Sequence, residues 1–133
     1  MQLDLAKYRV TAIRQDIDSI PTHVDHLAIG SGNSLWLSDG LRLMSVNTVT
    51  KKVTDFGDEW VVSKHLPAKI TEIEVVNPEL TVVGTDHGLY LIENGKSHFI
   101  KQSEPFGSVI EISSSDEQIW VASGYGVLFV ITT

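Results

Sequence analysis

A threefold internal repeat constrains this chain more than any other feature. Ser19-Ile20-Pro21-Thr22-His23-Val24 leads through a polar break to Ser34-Leu35-Trp36-Leu37-Ser38-Asp39-Gly40-Leu41. His65-Leu66-Pro67-Ala68-Lys69-Ile70 leads to Leu80-Thr81-Val82-Val83-Gly84-Thr85-Asp86-His87-Gly88-Leu89. Glu104-Pro105-Phe106-Gly107-Ser108-Val109 leads to Ile119-Trp120-Val121-Ala122-Ser123-Gly124-Tyr125-Gly126-Val127. A repeat of this period means one supersecondary unit used several times, each unit burying its apolar face against the next.

The unit reads as antiparallel β-structure. Each proline stands just ahead of an alternating apolar stretch, at Val24 to Ile29, Ile70 to Val76 and Val109 to Ile112. Period-two alternation rich in β-branched residues marks half-buried strands, and a proline at a strand's start costs no ladder hydrogen bond. A polar turn follows, then the most apolar strand, holding Trp36, Val82 or Trp120. A glycine-bearing turn reverses the chain into a third strand, near Leu41 to Val46, Leu89 to Ile92 and Val127 to Ile131. Glycine at 88 and 126 predicts a positive φ or a close backbone approach there. A fourth, more polar strand is expected at Lys52 to Phe56 and at Ser97 to Gln102, the latter after an Asn94-Gly95 hairpin signal. The third unit stops short of its fourth strand, and Tyr8 to Arg14 reads as the strand that completes it. The expected organisation is one domain over 1–133, with an N-terminal strand in 1–20, units at 21–66 and 67–104, and an incomplete unit at 105–133.

Leu66-Pro67 through Leu89, and Pro105 through Val127, resemble the β-propeller repeats in the sensor regions of two-component regulators. The resemblance runs over 19–133 and is carried by a structural motif. It implies four-stranded antiparallel blades and brings no catalytic residue with it. Propellers use about 4 to 8 blades, and this chain has three repeats. The expected fold is therefore all-β: three four-stranded propeller-like blades forming half of a homodimeric six-bladed β-propeller. In it the Tyr8 to Arg14 strand of one chain pairs with the Val127 to Ile131 strand of its partner. The alternative is a monomeric β-trefoil, which also has three repeats of four strands.

Composition bounds the partners. There are 17 acidic and 10 basic residues, a net charge of −7, and no basic stripe. Nucleic acid and anionic membrane surfaces are disfavoured, because binding them requires clustered Lys and Arg; a basic protein partner is favoured. No apolar run approaches the ~20 residues of a membrane helix, no secretory leader is visible, and a cytoplasmic location is the default. With no cysteine, disulfides and thiolate metal sites are excluded.

Little in the sequence points to catalysis. In a strand His23 and Asp25 share one face and His26 takes the other, so they do not converge on a metal. Asp86-His87-Gly88 looks like part of a catalytic pair, yet it fills the turn that is Gly124-Tyr125-Gly126 one repeat later, where turn chemistry accounts for it. No catalytic residue, metal or cofactor is expected, and the protein is read as a non-enzyme. Trp36 and Trp120 recur at one position of the central strand and are expected in the core. The antiparallel order places His23, Asp39, His65, Asp86, His87, Phe106 and Tyr125 on one face of the disc, and aromatics among polar groups mark it as a binding face. The expected function is a non-catalytic binding module presenting this propeller face to a protein partner, of the kind an acidic immunity protein offers a basic toxin. The alternative is a carbohydrate-binding small-propeller lectin.

Overall fold

The computed structural model describes residues 23–30, 32–40, 42–57, 69–115, 117–126 and 128–132. They form three antiparallel sheets. The first is β1 (His26–Ile29), β2 (Ser34–Ser38), β3 (Leu43–Asn47) and β4 (Val53–Gly57). The second is β5 (Ile70–Asn77), β6 (Leu80–Thr85), β7 (Gly88–Glu93) and β8 (Lys96–Ile100). A 3-10 helix over Lys101–Phe106 leads to the third: β9 (Val109–Ser114), β10 (Gln118–Ser123) and β11 (Leu128–Thr132). Within each sheet the strands are ordered as they occur along the chain.

The same local chemistry builds each sheet. β6 and β7 run in register from Leu80 opposite Glu93 to Thr85 opposite Gly88. Residue 36 lies opposite Ser45, Val82 opposite Leu91 and Trp120 opposite Val130, so the repeat is kept in the pairing as well as in the sequence. Each second strand ends in a buried hydroxyl: Ser38, Thr85 and Ser123. Ser38 Oγ accepts the Gly40 N–H at 2.9 Å. Thr85 Oγ1 accepts the His87 N–H at 3.0 Å and donates to the Gly88 carbonyl at 2.8 Å. A side chain that hydrogen-bonds the backbone two residues on is a turn former, which accounts for Ser38 and Thr85 at the ends of β2 and β6. Gly88 and Gly126 have φ of 111° and 77°, as expected for the two turn glycines.

The sheets pack through side chains, chiefly along their first strands β1, β5 and β9. Between the first and second sheets lie Leu43, Ile70, Ile73, Val83, Tyr90 and Ile92, with Trp36 and Phe56 against them; the two rings stack at 5.5 Å. Between the second and third lie Val82, Leu89, Val109, Ile112, Ile119 and Val121. β6 thus sends Val83 one way and Val82 the other, both fully buried. A Cβ on Gly84 would come within 2.6 Å of Val109 Cγ1, so the approach of the second and third sheets needs glycine there. A smaller cluster, Leu37, Met44 and Val46, occupies the other side of the first sheet.

The all-β class and the repeated antiparallel unit hold; the propeller does not. Among the described residues the three sheets are separate, none curls or closes, and no ladder joins one to the next. The resemblance to two-component-regulator sensor propellers, the six-bladed dimer and the β-trefoil alternative are all corrected by this arrangement. The repeat specifies hairpins and turns, which are local, whereas closure depends on how sheets meet at a distance. The N-terminal strand at Tyr8 to Arg14 lies outside the described residues. The stretch expected to continue as strand to Gln102 instead turns into the 3-10 helix after Ile100. Trp120 is also corrected: it is 43% exposed on the outer side of the third sheet. Among the described residues no helix is long and apolar enough to cross a membrane.

Candidate functional site

The turn between β6 and β7, the end of the 3-10 helix and the turn between β10 and β11 meet around an open groove of about 450 Å³. Asp86, His87, Glu104, Pro105, Gly107, Ser108, Gly124 and Tyr125 line it.

Each wall has a local cause. Thr85 folds the first turn, and Ser103 fixes it from behind. The buried Ser103 Oγ accepts the Leu89 N–H at 2.8 Å and donates to the Ile100 carbonyl. The 3-10 helix is thereby tied to the start of β7. Asp86 Oδ1 accepts the Lys69 N–H at 2.9 Å, while the Asp86 N–H donates to the Lys69 carbonyl at 3.0 Å. The Asp86 carboxylate also takes His87 Nδ1 at 2.8 Å. A carboxylate only accepts, so Nδ1 carries the proton and Nε2 is left for another partner. On the far wall the Gly124 N–H donates to the Ser108 carbonyl at 2.7 Å. The Tyr125 ring lies over Gly107, where a Cβ would come within 2.6 Å of Tyr125 Cε2, and the tyrosine is 77% exposed. The groove therefore presents two carboxylates, an imidazole nitrogen and an aromatic ring.

The structure brings together three of the residues singled out from the sequence, Asp86, His87 and Tyr125. It separates two others. His23 contacts Asp25 Oδ1 at 2.5 Å beside the first sheet. Asp39 accepts the Arg42 N–H at 2.9 Å in the turn between β2 and β3. His65 and the Phe106 side chain lie outside the described residues. Glu104, Pro105 and Ser108 were missed, since they belong to the joint between units, where no alternation marks them. With no disc, there is no propeller face. The expected function through such a face, in both its protein-binding and lectin forms, is corrected accordingly. Among the described residues no three His, Asp or Glu side chains are grouped to hold a metal ion.

The fold is that of an all-β protein built from repeated antiparallel sheets. It is similar to a chain in a solved structure described as the crystal structure of the mitotic checkpoint complex, with a TM-score of 0.65 at 12% identity. The match covers 92% of this chain and 43% of that one, so this chain spans less than half of the other's length. At that identity the likeness concerns the fold alone. No protein-family profile and no curated protein sequence matches the chain.

Proposed function

We propose that the groove between the β6–β7 turn and the β10–β11 turn recognises a cationic side chain of a basic protein partner, without chemistry on it. The observation that carries this reading is the convergence of Asp86, Glu104 and the exposed Tyr125 on one opening. An ammonium or guanidinium group gains from an aromatic face within about 6 Å and from carboxylates beside it. His87 Nε2 adds an acceptor for one of its N–H groups. The charge of −7 draws basic partners toward the molecule at long range. Because Asp86 and His87 are held by backbone and by each other, the site is preorganised, which lowers the ordering cost of binding.

A lysine-serine peptide and its glutamate-serine counterpart, titrated by heteronuclear NMR, test this. The lysine peptide should shift the amides of His87, Gly107 and Tyr125 and weaken with added salt; the glutamate peptide should not bind. Tyr125→Ala and Glu104→Gln should each reduce affinity about threefold to fivefold, the scale of one exposed cation–π or ion-pair contact. Equal affinity in both variants, or no binding of the lysine peptide, would sink the reading.

A further inference from the structure

The third sheet turns an apolar face outward, and the segment that builds it carries charge of one sign only. Trp120 of β10 pairs with Val130 of β11 and Ala122 pairs with Leu128, so Trp120, Leu128 and Val130 stand side by side on one face. All three are exposed, as is Ile110 on β9. Contiguous exposed apolar side chains of this size mark an interaction surface. The corresponding residues of the other two sheets are used within the chain: Trp36 packs in the cluster with Ile73, and Val82 in the cluster with Ile112.

Every lysine, arginine and histidine of the chain lies at or before Lys101. Beyond it, residues 102–133 carry only acidic side chains, Glu104, Glu111, Asp116 and Glu117. Glu111 is exposed and shares the apolar face, in the row Glu111, Ala122, Leu128 across the three strands. Glu117 is exposed just ahead of β10. An apolar strip with carboxylates along its margin complements a segment that has apolar residues on one side and lysine or arginine beside them, and it repels an acidic one.

The shape selects a helix. Three strands about 4.8 Å apart make a face about 10 Å wide, and strands of five or six residues make it about 17–20 Å long. That is the width of one α-helix and the length of about three to four of its turns. An added strand would use the edge of the sheet and leave these side chains bare. We infer that the outer face of the third sheet receives a basic amphipathic helix of a partner protein. Its apolar residues rest on Trp120, Leu128 and Val130, and its lysines or arginines face Glu111 and Glu117. This surface is distinct from the groove and goes beyond it.

A heteronuclear NMR titration of the full chain tests the inference with a lysine–leucine peptide whose leucines recur every three or four residues. Two controls accompany it: the same composition with the leucines scattered around the helix, and the patterned peptide with glutamate for lysine. The patterned peptide should gain helicity on binding and shift the Trp120 indole and the Val130 amide. The scattered peptide should bind at least about tenfold more weakly, and the glutamate peptide not at all. Trp120→Ser and Leu128→Lys should each weaken binding at least about tenfold, the effect of losing a hot-spot side chain. Both side chains are exposed, and circular dichroism melts show that the variants keep the fold.

The inference is overturned by an absence of shifts on the outer face, by equal affinity for the scattered or the glutamate peptide, or by parental affinity in a folded variant. Outer-face signals that broaden with protein concentration before any peptide is added also overturn it, because a second copy then covers the face. The groove is judged separately by the lysine–serine peptide, which has no apolar side chain. Shifts at Trp120 without shifts at His87 would leave this inference standing and the groove reading fallen, and the reverse pattern would do the opposite.

Discussion

Trp120 and Tyr90 show how little an aromatic residue's identity says about what it contributes. Tyr90 is 1% exposed, packed between the first and second sheets and tilted against Phe99 at 4.9 Å. Trp120 occupies the middle strand of the last sheet with its outer side uncovered. Tyr90→Ala should therefore cost about 3–5 kcal/mol, the transfer term plus the cavity left behind. Trp120→Ala, in dilute solution, should cost less than about 1 kcal/mol, as a surface substitution does. Urea unfolding followed by circular dichroism compares the two. Equal losses would mean that the outer side of the third sheet is covered within a single chain.

At the scale of the element, the recurring unit is a strand end with a hydroxyl, followed by a tight turn. Thr85 is fully buried and makes two hydrogen bonds to its own turn, so it decides where Asp86 and His87 stand. Thr85→Val keeps the shape and removes both bonds, leaving the buried Gly88 carbonyl and the part-buried His87 N–H to find other partners. The expected cost is about 1–3 kcal/mol. Amide exchange at His87 should accelerate more than exchange in β10. If the turn amides are as protected as in the parent, the hydroxyl is not what holds the turn. Much of this was legible in the sequence: alternation located the strands, and glycine among polar residues located the turns. The 3-10 helix was not. Its Lys101-Gln102-Ser103-Glu104-Pro105-Phe106 carries no helical period, and it forms because buried Ser103 ties the segment to Leu89, a contact across 14 residues.

At the scale of the whole molecule, Glu72 reports on how the sheets meet. It lies on β5 within the electrostatic reach of His26 on β1 and of Glu111 on β9, with Glu74 on its own strand. Burial raises its pKa above the ordinary 4.5; His26 opposes that, and Glu111 and Glu74 add to it. Where the folded pKa exceeds the unfolded one, the folded state holds more protons over the interval between them. Stability then falls as pH rises from about 4.5 through the raised value, and the loss stays constant above it. Glu72→Gln carries no such loss. Its stability relative to the parent should therefore be greater at pH 8 than at pH 4, measured by urea unfolding at both. A difference independent of pH would show that the carboxyl does not feel the junction.

What the sequence determined by itself was the unit. Alternating β-branched residues, turn hydroxyls and the glycines at 88 and 126 act over a few residues, so each antiparallel sheet and each reversal could be read from the chain in order. What only the tertiary structure decided was how the units meet. Trp36 and Trp120 have the same local sequence setting, yet one stacks on Phe56 beneath the second sheet and the other is left exposed. The groove is of the same kind: Asp86 and Tyr125 come from turns one repeat apart, and Glu104 from the joint between units. Their convergence depends on the packing of β5 and β6 against β9, through Gly84 and Val109. Propeller closure was inferred from the repeat, but a repeat encodes hydrogen-bonded neighbours. Whether the sheets curl or stay open is set by side-chain packing between residues far apart in the chain, which no local pattern carries.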